Sequence, residues 1–183
     1  MHHDINTPLT DDIIINLKAG DTVCITGTIY TARDAAHKRI YGLIMEGKDL
    51  PFDIRNQTIY YVGPCPARPG HVIGSAGPTT SGRMDAYAPK LIELGLKGMI
   101  GKGLRSLDVI SAIKKYKSVY FGATGGAGAL LARSIVKEEV IAFPELGAEA
   151  VRKLEVVKFP AIVIIDCFGN NLYETGRQGF AEC

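Results

Sequence analysis

Apolar positions recur from Met84 onward at Met84, Tyr87, Ala88, Leu91, Ile92 and Gly95, the i, i+3, i+4, i+7 spacing of one buried helical face. This predicts a helix over 81–94. Thr79, Thr80 and Ser81 before it are competent N-caps, and Asp85 in its first turn suits the positive end of the helix dipole. Residues 21–30 instead alternate with period two and read as a strand, with Gly20-Asp21 as a leading turn and 9–20 as a lead-in segment. Thr31 then caps a helix continuing toward Glu46, and Gly47 to Asn56 forms a loop around Pro51. Short apolar runs at 58–62, 72–74, 96–100, 119–121 and 140–143 read as strands, and 106–115 and 129–135 as helices. Pro64, Pro66 and Pro69 make residues 63–70 a rigid loop. Near the end, 151–158 and 161–166 read as two strands broken by Pro160. A turn follows at Gly169-Asn170-Asn171, and the tail after Gly176, ending in Cys183, reads as irregular.

Helices and strands alternating in the middle, with strand-rich ends, predict an α/β domain built on a mixed sheet. The 183 residues make one ordinary domain, 1–183, with enough mass for a real core. A net charge of +2 and the lack of a Lys/Arg run argue against a nucleic-acid partner. No apolar run reaches membrane-span length, and Met1-His2-His3-Asp4 lacks the features of a signal peptide, so no membrane association and a cytoplasmic location are expected. Cys24, Cys65, Cys167 and Cys183 include no close pair. That spacing argues against a zinc or iron–sulfur site made by this chain alone, and no metal ligand is expected in it. Cys65, in its proline-rich loop, invites a nucleophile reading. With no histidine adjacent in sequence, a packing role is favoured.

Three segments carry candidate chemistry. A helix N-terminus offers free N–H groups to an anion, and Thr79, Thr80 and Arg83 stand there. In Arg33-Asp34-Ala35-Ala36-His37, Arg33 and His37 share one helical face and Asp34 can meet His37. Gly101-Lys102-Gly103 follows a strand, the end of an α/β sheet at which ligands collect. Two carboxylates need at least two cationic clamps in one cleft; Arg33, Arg83 and Lys102 each follow a strand and could converge. The plain alternative is a capped helix, solvated cations and ordinary helix-surface neighbours. Gly122 to Gly128 between a strand and a helix, with Glu145 beyond, also makes a fair dinucleotide fingerprint. Too little chain follows Glu145 for a two-halved dinucleotide fold.

Gly77-Pro78-Thr79-Thr80-Ser81-Gly82-Arg83-Met84-Asp85, with Ile100-Gly101-Lys102-Gly103 after it and Arg33-Asp34-x-x-His37 before it, resembles the β region of the class I iron–sulfur fumarase and L-tartrate dehydratase family. The likeness runs from Gly20-Asp21 to Gly169-Asn170-Asn171. It implies a three-layer β/β/α swivelling domain and a hydro-lyase subunit, with reversible hydration of fumarate to L-malate as the first expectation and an L-tartrate dehydratase β subunit as the alternative. It also implies a 4Fe–4S cluster with one open iron, acting as a Lewis acid. Because the family's cluster cysteines lie in its α region, the cluster is expected on a partner α subunit and not on this chain. Arg33, Thr79, Thr80, Arg83 and Lys102 are the implied substrate ligands. Thr80 is also a proton-transfer candidate that an acidic partner group would have to assist. His37, with Asp34 as its orienter, is the other acid–base candidate. A homo-oligomer or an α2β2 assembly is expected. Cys167 stands where the family usually has a second acidic residue. Outside the family, the readings are a non-catalytic binding module and a dinucleotide-binding oxidoreductase domain.

Overall fold

The computed structural model describes residues 1–124 and 126–178. In chain order these form β1 (His2–Asn6), α1 (Asp11–Ile14), β2 (Thr22–Thr31), α2 (Asp34–Met45), β3 (Thr58–Tyr60), a 3-10 turn (Ser81–Met84), α3 (Ala88–Glu93), β4 (Gly98–Gly101), α4 (Leu107–Tyr116), β5 (Val119–Gly122), α5 (Gly128–Ala132), β6 (Ile135–Ala142), a second 3-10 segment (Pro144–Glu149), β7 (Val151–Ile165) and α6 (Leu172–Gln178). No described helix is long and apolar enough to cross a membrane.

The α/β class and the mixed sheet are as expected. Strands β1 to β5 pair in parallel, each with the next, and β7 runs antiparallel to β2, β5 and β6. The 15 residues of β7 reach both sides of the sheet: 152–162 pair with β2 and 162–165 with β5. The ladder β2–β3–β4–β5–β7 therefore returns on itself, with β1 and β6 as extensions.

Alternation along the strands divides the core in two. Tyr60, Val62, Ile100, Val119 and Phe121 join Ile25, Ile29 and Phe159 on one face. Ile59, Tyr61, Met99 and Tyr120 face the other way, against Ile40 of α2, Leu91 and Ile92 of α3, and Val109 and Ile113 of α4. Strands buried on both faces lose their polar alternation, which is why 58–62, 96–100 and 119–121 read as apolar runs. Each such side chain, fully buried, contributes about 1.5–3 kcal/mol.

Several elements differ from the sequence reading. The helix expected over 81–94 divides into the 3-10 turn and α3, because Pro89, in the first turn of α3, has no N–H to donate back to the preceding turn. Thr80 makes no capping bond with its side chain. Thr31 ends β2, with its hydroxyl bridging Ala150 O and Arg152 N, and Arg33 takes the N-cap position of α2. Val72-Ile73-Gly74 is not a strand; a bridge between Val62 and Pro78 ties the long loop back, and Ile73 is nevertheless buried. The helix expected over 129–135 is the five-residue α5, and β6 begins at Ile135. Pro160 does not interrupt β7: it lies opposite Cys24, near a register shift and the positive φ of Lys158, an irregularity that tolerates a missing donor. α6 continues to Gln178, and the rest of the tail, with Cys183, lies outside the described residues.

Candidate functional site

The short link from β2 to α2 leaves Arg33 at the helix entrance, with Asp34 as the first helical residue. The N-terminus of α2 takes acidic groups. Glu149, from the segment before β7, accepts the Ala35 N–H at 2.8 Å through one oxygen, and its other oxygen lies 3.4 Å from Arg33 Nε. Gly63 leaves room for this arginine; a Cβ there would meet Arg33 Nη1 at 2.9 Å.

Arg83 arrives at the same point from the 3-10 turn. Its Nε lies 2.6 Å from Asp34 Oδ1, while Arg33 Nε donates to Asp34 Oδ2 at 3.2 Å. One carboxylate thus sits between two guanidiniums from distant segments. The side chains are 22% exposed for Arg33, 29% for Asp34 and 52% for Arg83, so the cluster opens to solvent. Burial alone would raise the Asp34 carboxyl. The hydrogen bond from its own backbone N–H, and the Arg33 and Arg83 guanidiniums, outweigh burial and hold its pKa below the ordinary carboxylate value.

The threonines and the lysine are joined through backbone. Thr79 N donates to Tyr61 O at 2.7 Å, Thr80 bridges to Lys102, and Ser81 N donates to Lys102 O at 2.8 Å. The motif therefore lies along the end of β4. Gly101 permits this approach, since a Cβ there would fall 2.0 Å from Ser81 Oγ. Thr80 and Lys102 are exposed and Thr79 is half-buried.

Beneath this layer is a polar network that sequence reasoning missed. The Tyr120 hydroxyl lies 2.9 Å from both Ser81 Oγ and the Gly103 carbonyl, joining the two segments. The fully buried Arg105 side chain holds Asp85 Oδ1 at 2.7 Å and lies over the rings of Tyr61 and Tyr120. The other oxygen of Asp85 accepts Ser106 N at 2.5 Å, so Asp85 serves the entrance of α4 and not its own helix. Arg105 stands two residues after Gly103, but nothing in that spacing marks it as buried. Glu149 carries no local signal at all.

His37 is fully buried. Its Nδ1 pairs with the Arg33 carbonyl at 3.2 Å, its Nε2 has no partner, and its ring meets Tyr61 edge-on at 5.2 Å. Asp34, engaged with the two arginines, is not its orienter; the Arg33 carbonyl is. Burial pushes the imidazole down to about 4, opposed by the Arg33 carbonyl and reinforced by Arg105. His37 is neutral near pH 7 and sits behind Arg33.

The implied substrate ligands fall into two sets of contacts: Arg33 and Arg83 meet through Asp34, and the backbones of Thr79, Thr80 and Lys102 are tied along Tyr61 and the end of β4, with Thr80 three residues before Arg83. They do not share the groove of about 450 Å³ that runs beside α2, lined by Ala35, Lys38, Arg39, Gly42, Leu43, Glu46 and Phe143. The glycine-rich segment does not make a dinucleotide unit. β6, which follows α5, pairs antiparallel with β7, whereas that fingerprint needs a second parallel strand, and Glu145 is engaged by Arg39 at 3.3 Å. Cys65, read as a packing residue, is exposed; Cys167 is buried and Cys24 half-buried. Among the described residues no three cysteines converge, so these thiols do not fit an iron–sulfur cluster.

A family model described as Fumarase C-terminus matches residues 1–176. The chain is 40% identical over 175 residues to the anaerobic class I fumarate hydratase of Escherichia coli, covering 93% of this chain and 32% of that protein. It is 42% identical over 156 residues to fumarate hydratase 2 of Leishmania major, covering 84% of this chain and 28% of that one. It is also 40% identical over 172 residues to a putative L(+)-tartrate dehydratase subunit beta of Methanocaldococcus jannaschii, covering 91% of this chain and 88% of the relative. The chain therefore spans about a third of the fumarate hydratases it matches, and most of the tartrate dehydratase subunit.

Proposed function

This chain belongs to the fumarase C-terminal family, and on that premise we propose that it is the dicarboxylate-gripping subunit of a hydro-lyase that interconverts fumarate and L-malate. The observation that carries this reading is the convergence of Arg33 and Arg83 on one carboxylate, at 3.2 and 2.6 Å, beside the Thr80–Lys102 bridge. Two guanidiniums already arranged about a carboxylate are arranged for a substrate's carboxylate. Lys102 supplies a point charge for the second carboxylate, and the Thr79 hydroxyl supplies a neutral donor. Binding both ends orients the intervening carbons, and fixed orientation lowers the barrier to proton transfer.

Thr80 is the hydroxyl we assign to the reacting carbons. A threonine is a weak base alone. Asp34, held ionised by two arginines, is a poor proton acceptor, and neutral His37 is buried away from solvent. The acid–base partner of Thr80 therefore comes from the other subunit, and His37 acts by fixing the Arg33 backbone. The iron–sulfur cluster that such a hydro-lyase needs belongs to the same α partner, since the described thiols here do not gather.

L-Tartrate is the second reading. It is favoured by the relative named as a tartrate dehydratase subunit beta, which this chain matches over 88% of its length. The two substrates share the dicarboxylate and differ in hydroxyl count, so the arginine clamp serves either. The test is Arg83→Lys in the enzyme reconstituted with its α partner, assayed on both. Lysine keeps the charge and loses the planar fork. A loss of about 2–4 kcal/mol in kcat/KM is expected on the true substrate. Unchanged kcat and KM would make Arg83 a surface residue and defeat the proposal.

A further inference from the structure

Far from the arginine clamp, on the strand β1 that the sequence pattern did not reveal, three metal-binding groups meet. We propose that His2, Asp4 and Cys24 form a binding site for a borderline-soft divalent cation, zinc being the fitting one, that clips β1 to β2. His2 and Asp4 are two apart on one strand, so both point to the same sheet face. In the parallel register His2 lies opposite Thr22 and Asp4 opposite Cys24. One ligand atom from each of His2, Asp4 and Cys24 lies within 4.8 Å of the others. Tetrahedral zinc with nitrogen, oxygen and sulfur ligands needs separations of about 3.5 Å, which small side-chain rotations reach. Water completes the fourth position.

A second observation, independent of that proximity, concerns the His2 ring. Thr22 Oγ1 lies 3.1 Å from His2 Nδ1 and also within reach of the Met1 carbonyl, at 3.4 Å. In the tautomer that carries its proton on Nδ1, the ring donates to Thr22 and leaves Nε2, 3.9 Å from Asp4 Oδ1, as the ligand atom. A histidine whose far nitrogen is hydrogen-bonded and whose near nitrogen is free is the usual arrangement of a metal ligand. The thiolate and imidazole select zinc, cobalt or copper over magnesium and calcium. Binding releases the Cys24 thiol proton, so affinity rises with pH. Spacing could not reveal the site, because Cys24 is distant in sequence and only the β1–β2 pairing brings it in. It is remote from the clamp, since the strand from Cys24 to Arg33 covers roughly 25–30 Å.

The experiment is anaerobic titration of the full, reduced chain with Co(II), followed by Zn(II) competition. The expected result is one cobalt per chain with a thiolate-to-cobalt charge-transfer band that Zn(II) abolishes. The band disappears in Cys24→Ser, survives unchanged in Cys65→Ser, and needs at least tenfold more cobalt in His2→Gln and in Asp4→Asn. Metal should also slow amide exchange across β1 in the wild type and not in Cys24→Ser. No thiolate band, a band that survives Cys24→Ser, or an affinity indifferent to His2 and Asp4 would overturn the proposal and leave a surface ion pair. His2 and Asp4 have side chains 58% and 72% exposed, so their variants fold as the wild type does and the comparison is clean.

Discussion

Replacing Asp34 by asparagine removes the one carboxylate that both arginines of the clamp now hold. Arg33 and Arg83 bring two positive charges to the cluster, and Asp34 and Glu149 bring two negative ones. An incoming carboxylate that reaches Arg83 must approach Asp34 to about 4 Å. Two like charges at that distance repel by about 1 kcal/mol in water and about 4 kcal/mol at an effective dielectric of 20. Arg83 is 52% exposed, so screening selects the lower figure. Asp34→Asn should therefore tighten dicarboxylate binding by about 1 kcal/mol, roughly fivefold. The loss of a charge at the start of α2 costs about 0.3–1 kcal/mol of stability and leaves the fold intact. The assay is the inhibition constant of a competitive dicarboxylate on the reconstituted enzyme, at low and at high salt. The gain should shrink as salt rises. Weaker inhibition, in parallel with Arg83→Ala, would refute this reasoning and make Asp34 the strut that holds the arginines in position.

Two further outcomes follow from the buried neighbours of the clamp. His37 has a folded pKa near 4 against 6.5 for the free ring, so the unfolded chain takes the proton first. Stability should then fall as pH drops from about 6.5 to about 4, by at most about 3 kcal/mol, and denaturant midpoints of His37→Gln should lack that part of the slope. Gly101→Ala sets a methyl 2.0 Å from Ser81 Oγ and should cost about 1–3 kcal/mol in chemical denaturation. Adding Ser81→Ala should recover most of that loss, and additive losses would contradict the contact.

Arg33 was legible because it follows β2 at a helix entrance, and Arg83 because it stands in a hydroxyl- and glycine-rich segment, although the strand expected before that segment is a loop tied back by the Val62–Pro78 bridge. What supports the two arginines was not legible. Glu149 reaches Ala35 and Arg33 only through the β2–β7 pairing, and Arg105 is a charged residue whose burial depends on Asp85, Tyr61 and Tyr120 together. Pro89 was visible, but the hydrophobic period around it outweighed the missing donor, and a helix was expected where a 3-10 turn stands. Pro160 misled in the opposite direction, since an irregular register absorbs it. β1 gave no signal because its alternate residues, His2, Asp4 and Asn6, are exposed and polar, and Ile5 alone in it is buried. His37 shows how spacing misassigns a partner: Asp34 is correctly near in sequence, yet two guanidiniums compete for it and win.

The central claim is that this chain holds half of a hydro-lyase site. It is tested most directly by iron and sulfide analysis of the isolated chain after anaerobic cluster reconstitution, with fumarate and L-tartrate turnover measured before and after addition of the α partner. The account predicts no stoichiometric 4Fe–4S cluster and no turnover alone, then activity on mixing that Arg33→Ala and Arg83→Ala each abolish or severely reduce. A stoichiometric cluster with turnover in the chain by itself would contradict it.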